Sequence, residues 1–346
     1  MNADLSPNKT GRSRSPEPLN PDFQRFVDKI AVLQAAGAPK WEQLSAEQLR
    51  AATKDIRKGS ASVQGVARRY LRVAGARGPL NACLYTPGGG DALGFVGGAD
   101  GPGPGLVYFH GGGFSIGSIE THDSIVAKLA LASGVKILSI EYGLAPEHRF
   151  PNAHDDALAS SRWAFDHAEE IGFDRGRIGI GGDSAGANLA ASTCLEMRDD
   201  SRRRVRFQLL AYPNTTILGS GGSRDVYAEG YYLTLAAAQH LFQFYVDETT
   251  ASDPRIDLLH RDDLSGLPPT LLAVGHCDIL FDECLEFARK LQDADVPLTV
   301  LTYPGFVHGF LGFSEQVPEV SNAFQVIGRA LAIGLEAAQS TRDHQG

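Results

Sequence analysis

Residues Gly182-Asp183-Ser184-Ala185-Gly186 read G-x-S-x-G, with the β-rich run Arg177–Gly181 before them and the helical run Ala185–Met197 after. A strand that turns sharply into a helix holds a serine in strained geometry, and side chains at the flanking glycine positions would clash. The helix N-terminus behind the serine favours developing negative charge. Ser184 is therefore the expected nucleophile for acyl transfer. A second motif, His110-Gly111-Gly112-Gly113-Phe114, directly follows the apolar run Leu106–Phe109. Three consecutive glycines let backbone N–H groups face a ligand without obstruction. A flexible turn has the same composition, but the run before this one is the third strand in chain order, where an oxyanion loop must sit to point at the serine. The expected donors are the N–H groups of Gly112, Gly113 and Ala185. His110 is expected to anchor that loop rather than move protons.

A serine nucleophile needs a base, and the base an orienting acid. Of 10 histidines, His167 and His240 lie inside helical runs and His344 near the chain end, whereas His308 stands in Pro304–Phe310, just after the last strand. Asp278 closes the strand run Thr270–Gly275, and strand C-terminal ends are where α/β sheets place their sites. Asp282 and Glu283 open the next helix, where dipole stabilisation or capping accounts for them. Ser184, Asp278, His308 is the chain order expected of a nucleophile-elbow hydrolase.

The elements that must position these residues alternate. Strands are predicted at Val66–Val73, Leu80–Tyr85, Leu106–Phe109, Lys136–Tyr142, Arg177–Gly181, Val205–Ala211, Thr270–Gly275 and Leu298–Tyr303. Helices are predicted at Ile125–Ala132, Asp155–Glu170, Ala185–Met197, Asp282–Ala294 and Pro318–Ala338. Continuous apolar runs between amphipathic helices mean a mostly parallel eight-stranded sheet covered on both faces, with the first two strands as an antiparallel edge. Before the strands, Phe23, Phe26, Val27, Ile30 and Leu33 recur at helical spacing, and Ser45-x-x-Gln48 resembles a capping box. Pro87–Gly105 reads as a Gly- and Pro-rich loop. Between Pro213 and Pro269 there is no good strand, only a helix at Thr234–Val246. An excursion that long is a lid or a binding insertion.

HGGG before GDSAG, followed by an Asp and an HGF near the C-terminus, resembles the hormone-sensitive-lipase-like family of α/β-hydrolase carboxylesterases, from about Asp22 to about Ala338. Glu141–His148 is similar to the family's Y-R-L-A-P-E-H segment, with Gly143 where Arg is usual. Asp278–Glu283 is similar to D-P-L-x-D-E, with Ile279 where Pro is usual. The resemblance implies the α/β-hydrolase fold with a helical cap closing over an acyl pocket, hydrolysis of short-to-medium acyl esters, and often assembly as a homodimer. The expected organisation is a mobile tail at 1–21, cap helices at 22–60, a catalytic domain at 61–213 and 258–346, and a cap insertion at 214–257. Phe114, Tyr231, Leu233 and Phe242 are the expected pocket residues, because the excursion's aromatic residues are too apolar to be left in water together.

Composition narrows the rest. With 32 Lys and Arg against 41 Asp and Glu, the net charge of -9 disfavours a phosphate-backbone binder. Cys83, Cys194, Cys277 and Cys284 form no C-x-x-C pair and no zinc spacing, so no metal site is expected and the thiols read as reduced core residues. No run of ~18 apolar residues suggests a membrane helix, and the N-terminus lacks the apolar core of a secretory signal. A cytoplasmic serine carboxylesterase acting on a small-molecule ester, without cofactor, nucleic acid or membrane, is the expectation. An amidase, peptidase or lactonase would use the same triad. A non-catalytic receptor on this fold would be expected to lack part of it.

Overall fold

The apolar runs come together in one sheet. The computed structural model describes residues 15–57, 63–88 and 101–340. Among these, the strands are β1 (Val66–Gly75), β2 (Gly78–Pro87), β3 (Gly103–Phe109), β4 (Lys136–Ile140), β5 (Phe173–Asp183), β6 (Gln208–Ala211), β7 (Thr270–Cys277) and β8 (Leu298–Val307). They lie in the order β1-β2-β4-β3-β5-β6-β7-β8. β1 and β2 form an antiparallel hairpin, β2 meets β4 antiparallel, and the remaining pairs are parallel. Every residue of β4 and β6 is buried, as a strand covered on both faces requires, whereas β1 is largely exposed at the edge.

The covering helices are α3 (Ile119–Ser133), α4 (Asn152–Asp166), α5 (Ala185–Met197), α8 (Phe281–Asp293) and α9 (Val320–Ser340). α3 packs on α9, and α4 on α5. Local chemistry sets the ends of α3. Ser118 and Thr121 cap its start reciprocally, and Gly134 closes it at φ 68° with its N–H on the Ala130 carbonyl. Most strand bounds differ from the sequence reading by a few residues, and those of β5 and β6 have clear reasons. β5 starts at Phe173 rather than Arg177, because Phe173 pairs with Gly103 of β3. β6 is registered with both neighbours only from Gln208, not Val205. The loop expected at Pro87–Gly105 is cut at its C-terminal end by β3; residues 89–100 lie outside the described residues, as do 1–14, 58–62 and 341–346.

Helices α1 (Pro21–Ala35), α2 (Ala46–Arg57), α6 (Ser223–Val226) and α7 (Leu235–Tyr245) stand apart from the sheet layers. The short α6 was not expected. Ser45 and Gln48 do form the capping box of α2, at 2.9 and 3.2 Å. α1 buries Phe23 against Phe306 and Phe313, but its Leu33, read as part of the apolar stripe, is exposed. The last residues of the expected mobile tail are held rather than free. Asn20 N–H donates to the Gly305 carbonyl at 2.9 Å, and the Glu17 carboxylate lies 2.8 Å from His276 Nδ1.

The N-terminal helices and the excursion meet over the C-terminal ends of the strands. Leu49 of α2, Leu241 of α7 and Ile116 of the loop after β3 form a small buried cluster. His240 Nε2 reaches the Leu44 carbonyl at 2.8 Å. Arg50 is the polar latch. It donates to the Ser115 carbonyl at 2.8 Å, to the Ala145 carbonyl at 2.6 Å, and in bidentate fashion to Glu147 at 2.9 and 2.7 Å. These bonds hold the Glu147 carboxyl down to about 2. Because that value is depressed, the latch is fully present above the ordinary carboxylate range of ~4.3 and released only as pH falls through about 2.

Arg50→Ala is therefore expected to raise amide hydrogen exchange in α2 by on the order of tenfold, while β4 to β6 exchange as before. Acidification to pH ~4 should not reproduce the effect in the unsubstituted protein. Unchanged exchange in α2 would show that the Leu49 contacts alone hold it down.

Candidate active site

Ser184 sits between the last residue of β5 and the first of α5, at φ 54° and ψ -119°. A non-glycine residue at positive φ is strained and persists only where its surroundings fix it. Here its N–H is bound to the Ala211 carbonyl of β6 at 2.8 Å. The flanking glycines are obligatory for a steric reason: a Cβ on either Gly182 or Gly186 would overlap the Phe109 carbonyl oxygen.

His308 follows β8, and its Nε2 lies 2.8 Å from Ser184 Oγ. Its Nδ1 lies 2.7 Å from Asp278 Oδ2. The carboxylate can only accept, so it selects the Nδ1–H tautomer and leaves Nε2 to accept from the serine hydroxyl. Asp278 is 1 % exposed, and its other oxygen accepts the Leu280 N–H at 2.8 Å. The Tyr212 ring, carried at φ 37° just after β6, packs edge-on against the imidazole at 5.0 Å. The three residues singled out by motif and chain order are thus in hydrogen-bonding sequence, although 124 positions separate the serine from the histidine.

The glycine loop takes up backbone conformations that side chains resist. Gly112 has φ 120° and Gly113 φ 57°. A Cβ on Gly112 would overlap the Ile116 carbonyl, and one on Gly113 would stand 2.7 Å from Leu241 Cβ. His110 behaves as an anchor. It is fully buried, stacks on Tyr142 at 4.3 Å, and its carbonyl accepts the Tyr142 hydroxyl at 2.7 Å. Burial, with His122 nearby, pushes its imidazole down to about 3, so it is neutral at physiological pH.

Asp183, the variable position of the serine motif, was not singled out by the sequence, yet it joins the two motifs. Its Oδ1 accepts the Tyr108 hydroxyl at 2.7 Å and the Gly111 N–H at 2.9 Å, and its Oδ2 is 3.6 Å from His122 Nε2. Burial opposes ionisation, but His122 and these hydrogen bonds overcome it and hold the carboxyl below its ordinary range. Nothing in residue type or spacing marks His122, which lies on the apolar helix α3. Of the two departures from the family segments, the glycine at 143 has a local reason, and nothing in the structure explains isoleucine at 279. A Cβ on Gly143 would overlap Asn152 Nδ2, and Asp156 binds Asn152 Nδ2 and the Gly143 N–H at 2.8 and 3.0 Å. Ile279 is buried, and its carbonyl accepts the Ser223 hydroxyl at 2.8 Å.

Ser184, His308, Gly112 and Gly113 face a cavity of ≈ 120 Å³, roughly ten times the ~10–15 Å³ that one water occupies on this kind of measure. Leu233 and Phe242 line it as expected, together with Tyr232 and Leu241 of the same insertion, Ile116 and, unforeseen, Trp41. Two expected wall residues are elsewhere. Phe114, at φ 61°, carries its ring into the body, where it stacks on Tyr245 at 4.4 Å. Tyr231 packs edge-on against Tyr227 at 4.7 Å. Ala185 is fully buried directly behind the serine as the first residue of α5. All four cysteines are buried thiols, and no group of three or more His, Cys, Asp or Glu side chains among the described residues could hold a metal ion. No helix among the described residues is long and apolar enough to cross a membrane.

A family profile described as the alpha/beta hydrolase fold matches residues 106–312. The esterase LipI of Mycobacterium tuberculosis is 33% identical over 207 residues, which is 59% of this chain and 65% of that protein. The carboxylic ester hydrolase LipN of the same organism is 34% identical over 281 residues, covering 79% of this chain and 69% of its own length. Among solved structures, an ester-hydrolase from the metagenome of Lake Arreo, complexed with a bipyridine phosphonate derivative, superposes with a TM-score of 0.82 at 34% identity, covering 91% of this chain and 98% of that one.

Asp183→Ala strips the Tyr108 hydroxyl and the Gly111 N–H of their acceptor in a dry site. It is expected to cost about 2–5 kcal/mol in denaturant unfolding, with Asp183→Asn costing less because one acceptor oxygen remains. Since the folded carboxyl is depressed, this contribution is present above the unfolded value of ~3.9 and lost as pH falls through the lower folded one. Unchanged stability in Asp183→Ala would mean that the two motifs are held together by packing alone.

Proposed function

The chain belongs to the hormone-sensitive-lipase-like family of α/β-hydrolases, and from that premise we propose that it is a serine carboxylesterase that hydrolyses short-to-medium acyl esters through an acyl-enzyme on Ser184. Ester hydrolysis follows the family and its named relatives. The observation that carries the finer reading is the unbroken chain Ser184 Oγ, His308 Nε2, His308 Nδ1, Asp278 Oδ2, at 2.8 and 2.7 Å, facing a capped apolar cavity.

In this mechanism the ester carbonyl lies between Ser184 Oγ and the N–H groups of Gly112, Gly113 and Ala185. His308 takes the hydroxyl proton as Ser184 attacks, and the N–H groups stabilise the tetrahedral oxyanion. Asp278 holds the tautomer and stabilises the imidazolium. His308 then protonates the departing alcohol, and water enters on the same base to release the acid. Leu233, Leu241 and Phe242 bound the space left for the substrate. Each methylene that enters adds ~0.8 kcal/mol of binding until the wall is reached. Further carbons must displace packed side chains at ~1–3 kcal/mol.

Ser184→Ala should fold normally and lose on the order of 10⁶ in turnover, and Asp278→Asn up to ~10⁴ in kcat. Across p-nitrophenyl esters from acetate to palmitate, kcat/KM should peak at short-to-medium chains and collapse for the long emulsified members. Substantial activity in Ser184→Ala would reject the nucleophile, and best activity on palmitate would reject the capped pocket.

A further inference from the structure

The turn that carries Asp278 is gripped from the cap. β7 ends at Cys277 and α8 begins at Phe281, so Asp278, Ile279 and Leu280 form a three-residue connection. Ser223, the first residue of α6, clamps both ends of its second half. The Ser223 hydroxyl donates to the Ile279 carbonyl at 2.8 Å and accepts the Asp282 N–H at 3.1 Å. The Ser223 N–H donates to Asp282 Oδ2 at 2.8 Å. The preceding Gly222, at φ 57°, permits this approach, because a Cβ there would stand 2.5 Å from Asp282 Oδ2.

Arg224 adds a charged anchor. Its Nε and Nη2 reach Glu283 Oε2 at 2.8 and 2.7 Å, and Nη2 also donates to the Thr216 carbonyl at 2.7 Å. Ser223 and Arg224 are 1 % and 3 % exposed, and Glu283 is 8 % exposed. A buried ion pair of this kind is poor evidence for stability, since apolar residues of similar volume often serve as well. What it fixes is geometry: the start of α8 cannot shift relative to the cap insertion without breaking these buried hydrogen bonds.

We propose that Ser223 and Arg224 are positioning residues for the reaction: through Ile279, Asp282 and Glu283 they hold the Asp278 turn in the one place from which its carboxylate reaches His308 Nδ1. The inference rests on the triad reading above and assigns to the cap insertion a second task besides walling the pocket. The groups facing the pair are few. His308 meets Ser184, Asp278 and the Tyr212 ring, and Asp278 in turn interacts with Glu283 and Cys284 of α8, which Arg224 of α6 also reaches. A loosened acid stabilises the imidazolium less, so the acid limb of kcat/KM moves to lower pH. A protein that is merely less stable loses active molecules but keeps the limb where it was.

The test compares Ser223→Ala, the charge-neutral pair Arg224→Met with Glu283→Gln, and Asp278→Asn, each rate normalised to sites titrated by a p-nitrophenyl phosphonate. The double substitution guards against a folding failure caused by leaving one buried charge alone. Ser223→Ala and the double variant should each lose about tenfold or more in kcat with KM within about threefold of the unsubstituted protein, and the acid limb should move down. Unchanged kcat and limb in both, with Asp278→Asn impaired, overturns the positioning role and leaves the triad standing. Full turnover in Asp278→Asn overturns the triad reading and this inference with it.

Discussion

The closeness of two strand ends governs the site. β3 and β5 are parallel neighbours with Phe109 opposite Gly182, and the chain beyond each must fold back within a few ångströms of the other. That proximity forbids a Cβ at Gly182 and Gly186, both of which face the Phe109 carbonyl. It also leaves room at the crossing for one carboxylate, Asp183, which binds β3 through Tyr108 and the glycine loop through Gly111. A rigid distance between the serine and the glycine N–H groups follows from this junction. Preorganised donors act on an oxyanion only when they need not move to meet it, so a stiff, dry link between the two motifs is what the proposed chemistry requires.

The cap depends on contacts between remote stretches of chain. α2 and α7 lie nearly two hundred residues apart in sequence, yet Leu49, Ile116 and Leu241 share one cluster and His240 reaches the Leu44 carbonyl. Arg50 adds a directional element by engaging two carbonyls and a carboxylate of the body at once. The cavity opens at the seam between these segments, with Trp41 from one and Leu233 and Phe242 from the other. Its walls are thus set by how the two segments dock, not by either alone. The same insertion extends to the acid through Ser223 and Arg224, so substrate enclosure and acid placement share one scaffold.

Much of this was legible in the amino-acid sequence. The eight-stranded mostly parallel sheet followed from alternating apolar runs and helices, because strand burial and helix amphipathicity are local patterns. The serine elbow and the glycine loop were equally legible, since each needs glycine at fixed positions beside a strand, and the chain order of Asp278 and His308 singled them out from the other candidates. Helix caps such as Ser45 with Gln48 are written in adjacent residues and needed no fold to be read.

Where side chains point across the fold was settled only by tertiary structure. Phe114 and Tyr231 looked like pocket residues by composition and neighbourhood, but a left-handed turn carries one ring inward to Tyr245 and local stacking draws the other to Tyr227. Trp41 took a wall position that no spacing indicated. Asp183, His122, Arg50, Arg224 and Glu283 gain their roles from partners dozens of residues away, apart from the contacts each makes at home. Local sequence specifies which backbone conformations and faces are available, because those depend on neighbours along the chain. The partner of a buried charge or ring depends on which elements the folded core brings within a few ångströms, and that is a property of the packed chain as a whole.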